Sequence, residues 1–423
     1  NFGSSQNTLV SATYGPAESP HKYSALLCSI ESHTRMTCNT EPGVGDGLKW
    51  YITIGGQNSI PFSSTTTRYS DPRIDAASVN GADDTIKTDP SPSNGGASFV
   101  NLNGDHFGAS CTGCISATYG PSLGTKYGSV NCDVVTSHEL IRCPTVAGVG
   151  AGQKWIVIRE GLSSTLSIAT VDYTPPTISL FSGTAASAST THGGTLLTID
   201  GTNFGPAAHT DGVTAVYGSD NKNNKYDATD CSVVSQTRIT CKTAAGVGTG
   251  LKWIVTVASQ ASGRSPVTTA YVRPTLTGLE GNAVTTNSPT TGGTSITLTG
   301  DFFGPADQKE VSVEYGPSTP LNSLGKYTAQ NCRVISQQSI TCETDVGVGA
   351  NLKWRVGIGS QLSLSSLSSP MTSYALPTIV SLTGNAASNT GSSTRGGTQL
   401  IISGDNFGSS QNTLVSATYG PAE

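Results

Sequence analysis

The first eighteen residues, NFGSSQNTLVSATYGPAE from Asn1 to Glu18, return unchanged as Asn406 to Glu423. Inside that period a weaker repeat of about 100 residues runs four times, opening at Pro72, Pro176, Pro274 and Pro377. A chain that repeats at this length folds as a string of like modules, each large enough to bury its own core. The unit opened by Pro377 is cut at Glu423, and its remainder is what residues 1–71 look like. The expected domains are therefore 1–71 (the C-terminal part of a unit), 72–175, 176–273, 274–376, and 377–423 (the N-terminal part of the next). Joining 377–405 to 1–71 restores one whole unit, so the chain is expected to continue as further repeats or to associate head to tail with itself.

Each unit reads in the same order. Pro opens a short strand (PTISL at 176–180, PTIVSL at 377–382), and a Ser/Thr/Asn-rich stretch follows. Gly-Gly-Thr then leads an alternating strand into G-x-x-F-G, as in Gly193-Gly194-Thr195 to Phe204-Gly205 and Gly396-Gly397-Thr398 to Phe407-Gly408. A strand ending in Tyr-Gly comes next (Tyr14, Tyr119, Tyr217, Tyr315), then a cysteine hairpin, then a glycine turn into Lys-Trp. A final Tyr stands three residues before the next Pro: Tyr69, Tyr173, Tyr271 and Tyr374. Strand signals every 8–12 residues with Gly, Pro and Asn between them predict an all-β chain of sandwiches. No stretch carries sustained 3.6-residue periodicity, so no substantial helix is expected.

Pro-x-Ile, Gly-Gly-Thr, G-x-x-F-G, the spaced cysteine pair and the closing Tyr before Pro together resemble the IPT/TIG family of immunoglobulin-like domains. The resemblance covers essentially the whole chain, with departures at Gly95-Gly96-Ala97, which lacks the Thr, and at Tyr217-Gly218-Ser219, which lacks the Pro. It implies tandem immunoglobulin-like (IPT/TIG, E-set) β-sandwiches in a linear string, with a binding or architectural role and no catalytic residue.

The ten cysteines include four pairs at one spacing: Cys28/Cys38, Cys132/Cys143, Cys231/Cys241 and Cys332/Cys342. An even count at regular spacing reads as disulfides and an extracellular or cell-surface, secreted setting, against free or metal-bound thiols. In CSVVSQTRITC, a turn near Ser235–Gln236 sets the two cysteines opposite each other, within the 4.4–6.8 Å Cα separation a disulfide spans. Cys111 and Cys114 form a C-x-x-C in one unit only. Without a helix to activate a thiol or a free second pair for zinc, a local disulfide is the expectation.

The turn Gly-Val-Gly before each Lys-Trp superficially matches a dinucleotide fingerprint. A strand follows it where that fold needs a helix, so it reads as a tight turn. Trp50, Trp155, Trp253 and Trp354 are the only tryptophans, one per unit. Their +2 and +4 neighbours are apolar except at Arg159, so each Trp is expected in the core between the sheets. The six histidines fall in separate loops without HExxH spacing, and no G-x-S-x-G occurs. The Asp/Asn run from Asp220 to Asp230 has Lys222 where a calcium loop needs an oxygen ligand. No enzyme activity, cofactor or metal site is expected.

A net charge of −5 argues against nucleic acid, whose binding needs a basic face. No apolar run approaches the roughly 20 residues of a membrane span. The sequence has no Asn-x-Ser/Thr sequon, but Ser/Thr-rich stretches with Pro nearby mark candidate O-glycosylation at Ser63, Ser64, Thr65, Thr66, Thr67, Ser91, Ser93, Thr285, Thr286, Ser288, Thr290 and Thr291. Flexible bare loops are the alternative. The short Tyr-to-Pro joints, with φ fixed at Pro, predict semi-rigid links between neighbours. The functional expectation is an extracellular structural rod or helical fibre carrying covalent glycans. The alternative is a surface adhesin or receptor stalk binding a protein or glycan partner.

Overall fold

A computed structural model of the chain describes residues 2, 9–60, 66–79, 85–90, 98–207, 209, 211–220, 225–285, 287–317, 326–363, 371–387, 392–409 and 415–420. Among the described residues, helix is confined to single turns at Thr184–Ser187, Asn282–Thr285 and Asn385–Ala387. All other regular structure is antiparallel strand, joined by isolated bridges.

The unit 176–273 shows the plan. One sheet runs Thr177–Ser182, Leu196–Thr202, Arg238–Lys242, Thr229–Ser235; the other runs Tyr226–Asp227, Val213–Gly218, Lys252–Val257, Gln260–Ala261. Period-two alternation decides which side chains face inward. Leu197 and Ile199 from one sheet meet Ala215, Tyr217, Trp253 and Val255 from the other, all buried in one cluster. Gly201 is forced by close approach, because a Cβ there would lie 1.9 Å from the Thr177 carbonyl oxygen. The unit 274–376 repeats both sheets strand for strand. In 72–175, the strands Cys111–Gly120 and Tyr127–Thr136 are long enough to run through both layers, which merges them into one seven-stranded sheet.

The two ends hold half-units. Residues 9–69 supply one four-stranded sheet (Tyr23–Ser24, Val10–Gly15, Lys49–Ile54, Gln57–Asn58) and a separate hairpin, Leu26–Ser32 with Arg35–Asn39. Among the described residues of 377–409, the strand structure is Thr378–Thr383 paired with Ile401–Asp405.

All ten cysteines are bonded: Cys28–Cys38, Cys111–Cys114, Cys132–Cys143, Cys231–Cys241 and Cys332–Cys342. The four hairpin pairs stand 4.1–4.2 Å apart at Cα, closer than the expected 4.4 Å lower bound. Three of them follow a bulge. Leu27, Asp230 and Asn331 take φ near +50° just before the cysteine, and the ladder register shifts there.

Candidate functional site: the joints between sandwiches

An aromatic cluster fixes the Gly-Val-Gly turn at the end of each unit. Tyr217 stacks on Trp253 at 3.9 Å and 8°, and the same pair recurs as Tyr315–Trp354, Tyr119–Trp155 and Tyr14–Trp50. The closing tyrosine meets it hydroxyl to hydroxyl: Tyr217–Tyr271 at 2.6 Å, Tyr315–Tyr374 at 2.6 Å, Tyr119–Tyr173 at 3.0 Å. Both hydroxyls grip one backbone residue before the turn. Ala244 N–H donates to Tyr217, and Tyr271 donates to the Ala244 carbonyl. Burial pushes the Tyr119 and Tyr217 phenols up to about 12, and raises those of Tyr173, Tyr271 and Tyr374 further.

A third tyrosine completes the clamp and was missed by the sequence reading. Tyr226 Oη accepts from Val247 N–H and donates to its carbonyl; Tyr23 with Val44 and Tyr127 with Val149 do the same, while Tyr327 holds Val348. The available signal was Lys-Tyr, present in every unit as Lys22-Tyr23, Lys126-Tyr127, Lys225-Tyr226 and Lys326-Tyr327.

The clamped valine points at the next unit. Val247 lies so close to Gly304 that a Cβ on that glycine would sit 2.4 Å from its methyl carbon; Val149 bears the same relation to Gly205 (2.3 Å) and Val44 to Gly108 (2.6 Å). These glycines close the G-x-x-F-G motif at φ near +85°, so glycine answers both the conformation and the packing.

Polar contacts surround this knob and socket. At the joint after residue 175, Gln236 Nε2 donates to the Thr88 carbonyl at 2.6 Å while its Oε1 accepts from Gly205 N–H at 3.0 Å. Gln260 Nε2 donates to the Tyr173 carbonyl at 2.8 Å and its Oε1 accepts from Gly150 N–H at 3.0 Å. At the joint after residue 273, Gln337 reaches the Thr191 carbonyl at 3.0 Å and Gln361 reaches the Tyr271 carbonyl at 3.0 Å. An ion pair flanks each of these two joints, Lys126–Asp211 and Lys225–Glu310, and a third, Lys22–Glu160, flanks the joint before residue 72. At the joints after residues 175 and 273 neighbouring sandwiches are thus seated on each other by the same groups in the same order; the joint before residue 72 shares the valine knob and the ion pair.

Trp155, Trp253 and Trp354 are fully buried, whereas Trp50 is half-buried because its facing sheet is not supplied by residues 9–69. Arg159, which breaks the apolar pattern, turns its guanidinium to the Phe107 carbonyl at 2.6 Å and to Cys111 Sγ at 3.3 Å, with burial lowering its pKa. Ser288 and Thr290 are corrected as glycan candidates. Both are buried, since Ser288 bridges to the closing strand at Tyr374 and the Thr290 carbonyl accepts from Gly347 N–H. Thr66, Thr67 and Thr291 are exposed. Ser63, Ser64, Thr65, Ser91, Ser93, Thr286 and the side chain of Thr285 lie outside the described residues. Among the described residues no three His, Cys, Asp or Glu side chains gather as a metal site, and no helix is long and apolar enough to cross a membrane.

A family model described as IPT/TIG domain matches residues 176–271 and 282–374. These two segments are IPT/TIG domains. Unit 72–175 carries the same Tyr–Trp cluster, hairpin disulfide and clamped valine as the two IPT/TIG domains that follow it. No curated protein matches the chain. Among solved structures it is similar to the plexin A4 extracellular region, at 12% identity over 86% of this chain and 45% of that one, with a TM-score of 0.22. It is also similar to FdeC, an Escherichia coli adhesin (12% identity, 73% of this chain, all of that one, TM-score 0.21), and to invasin, a bacterial integrin-binding protein (15%, 82% and 69%, TM-score 0.19). The chain spans less than half the length of the plexin chains it matches.

Proposed function

We propose that the protein is an extracellular structural protein: a rod or helical fibre of tandem IPT/TIG sandwiches, without catalytic activity, carrying O-linked sugars on hydroxyl-rich stretches of its sequence. The repeated joint carries this reading. When valine knob, glycine socket, two glutamine bridges and an ion pair recur at successive joints, each sandwich is placed on the last by nearly one operation. An operation that does not close on itself grows a rod. Five disulfides in the chain fit an oxidising, secreted setting.

Small-angle scattering of the monomeric chain tests the reading. Units about 35 Å across set in line give a rod of about 140 Å with a radius of gyration of about 40 Å, against about 22 Å for one compact globule of this length. Changing Val149 and Val247 to Ala together with Gln260 and Gln361 to Ala should leave each sandwich folded and broaden the distance distribution. A wild-type value near the globular figure refutes the rod. Release of sugar by β-elimination tests the glycans, with bare peptides as the refuting result. A stalk for adhesion would instead require one divergent domain with exposed aromatic side chains.

A further inference from the structure

One disulfide stands in a different chemical setting from the other four. Cys111 and Cys114 lie three residues apart at the head of the strand Cys111–Gly120. Gly113, at φ +62°, makes the bend between them, and its N–H is held by Asp133 Oδ1 at 2.8 Å. Thr112, Gly113 and Cys114 are exposed and Cys111 is half-buried. The hairpin disulfides of the three complete units each keep at least one cysteine in the core: Cys132 and Cys143, Cys241, and Cys342 are buried. A thiolate that attacks a disulfide needs access to one sulfur and a leaving sulfur able to carry the charge. Cys114 offers the access.

Cys111 has the charge partner. Arg159 ends the strand Lys154–Arg159, and its Nη1 donates both to the Phe107 carbonyl at 2.6 Å and to Cys111 Sγ at 3.3 Å. Among the described residues Arg159 is the one cation that donates to a cysteine sulfur. Its Nε–H is buried without a hydrogen-bond partner, so the guanidinium is not saturated. The titratable groups around it are Glu160 and Tyr23, and Glu160 is engaged with Lys22 at 3.2 Å. In the two units that follow, the equivalent residues Val257 and Ile358 are core side chains. Arg159 interrupts that apolar row in the same unit that carries the extra cysteine pair. A guanidinium partly withdrawn from water stabilises an adjacent thiolate more than a solvated cation does.

We propose that Cys111–Cys114 is a thiol-exchange site, at which a low-molecular-weight thiol attacks Cys114 and Cys111 leaves as a thiolate beside Arg159. A new S–S bond joins the incoming sulfur to Cys114 Sγ as the Cys111–Cys114 bond breaks, and the bonding electron pair goes to Cys111 Sγ. One disulfide replaces another, so no outside oxidant takes part. The incoming thiol is then held covalently on an exposed turn, and the reverse attack by Cys111 releases it. The site lies within one sandwich and does not depend on the rod reading.

Peptide mapping of the full chain tests it, after brief exposure to glutathione at near-neutral pH and quenching with a maleimide. Glutathione should be found on Cys114 and the maleimide on Cys111, this disulfide opening about tenfold faster than any hairpin disulfide. Cys114→Ser leaves Cys111 as a free thiol, which should alkylate with a midpoint about one pH unit below the ordinary thiol value of about 8.5. Adding Arg159→Val should return the midpoint to that ordinary value. The next unit carries valine at this place, as Val257, so the sandwich should keep its fold. Exchange spread evenly over the five disulfides overturns the inference. So does a Cys111 midpoint that sits at the ordinary value, or one that Arg159→Val leaves unmoved.

Discussion

Trp253 donates its indole N–H to Thr269 at 2.8 Å, and Trp354 donates to Thr372 at 2.9 Å. Trp155 is as deeply buried, but its N–H has no partner, because Val171 occupies the place of that threonine. A buried donor without an acceptor costs about 1–3 kcal/mol, while a hydrogen bond once made returns about 0.5–1.5 kcal/mol net. Val171→Thr should therefore stabilise the 72–175 unit by about 1 kcal/mol, the cost of burying a new hydroxyl being offset by the bond it accepts. Thr269→Val, the reverse change, should destabilise the next unit by about 1–3 kcal/mol. Native-state hydrogen exchange read by mass spectrometry resolves units within one chain. Exchange across Lys154–Arg159 should slow about fivefold in the first variant, and exchange across Lys252–Val257 should quicken in the second. The other units should not change in either. If Val171→Thr speeds exchange while Thr269→Val leaves it unaltered, the indole bond is not a stabilising feature of these cores.

Two further perturbations act on the same framework. Tyr119 and Tyr217 titrate near 12 in the fold and near 10 when unfolded, so above pH 10 the unfolded chain loses protons that the native chain keeps. Followed by near-ultraviolet circular dichroism, stability should hold below pH 10 and fall by at least about 2 kcal/mol per sandwich as pH rises towards 12, because the raised phenols of Tyr173 and Tyr271 add to the loss. A flat profile through pH 12 would contradict the burial of these phenols. Replacing Cys231 and Cys241 with Ser opens a loop of about ten residues and should cost the 176–273 unit about 2–3 kcal/mol in chemical denaturation, with the neighbouring units unmoved.

The features legible in the sequence are those set by local pattern. Alternation located the strands, and the recurring Tyr-Gly, Lys-Trp and closing Tyr placed the aromatic residues, because each unit solves the same packing problem alone. What stayed hidden depends on contacts between units. The Gly-Val-Gly turn reads as a turn, and nothing local says that Val149 or Val247 is a knob for a glycine in the following sandwich. The glutamines at 236, 260, 337 and 361 look like solvated residues beside turns, yet each bridges to a carbonyl of the preceding unit. The stretch around Ser288 and Thr290 has the composition of a loose loop and is instead buried against the closing strand.

Core and joint are one mechanical system in this chain. Tyr226 is packed against Tyr217 and Tyr271, and its hydroxyl holds both backbone groups of Val247, the residue that seats the next sandwich. Any change that lets the aromatic cluster relax also frees the knob, so joint stiffness must follow core stability. The joints are nonetheless unequal. Where Gln260 and Gln361 bridge backwards, the 72–175 unit has Leu162, and where Gln236 and Gln337 stand it has His138. Its contact with the first half-unit keeps the valine knob and the Lys22–Glu160 pair, and among the described residues it has neither glutamine bridge. An exposed ion pair contributes at most about 1 kcal/mol. Bending of the chain should therefore concentrate at the joint between residues 9–69 and the 72–175 unit.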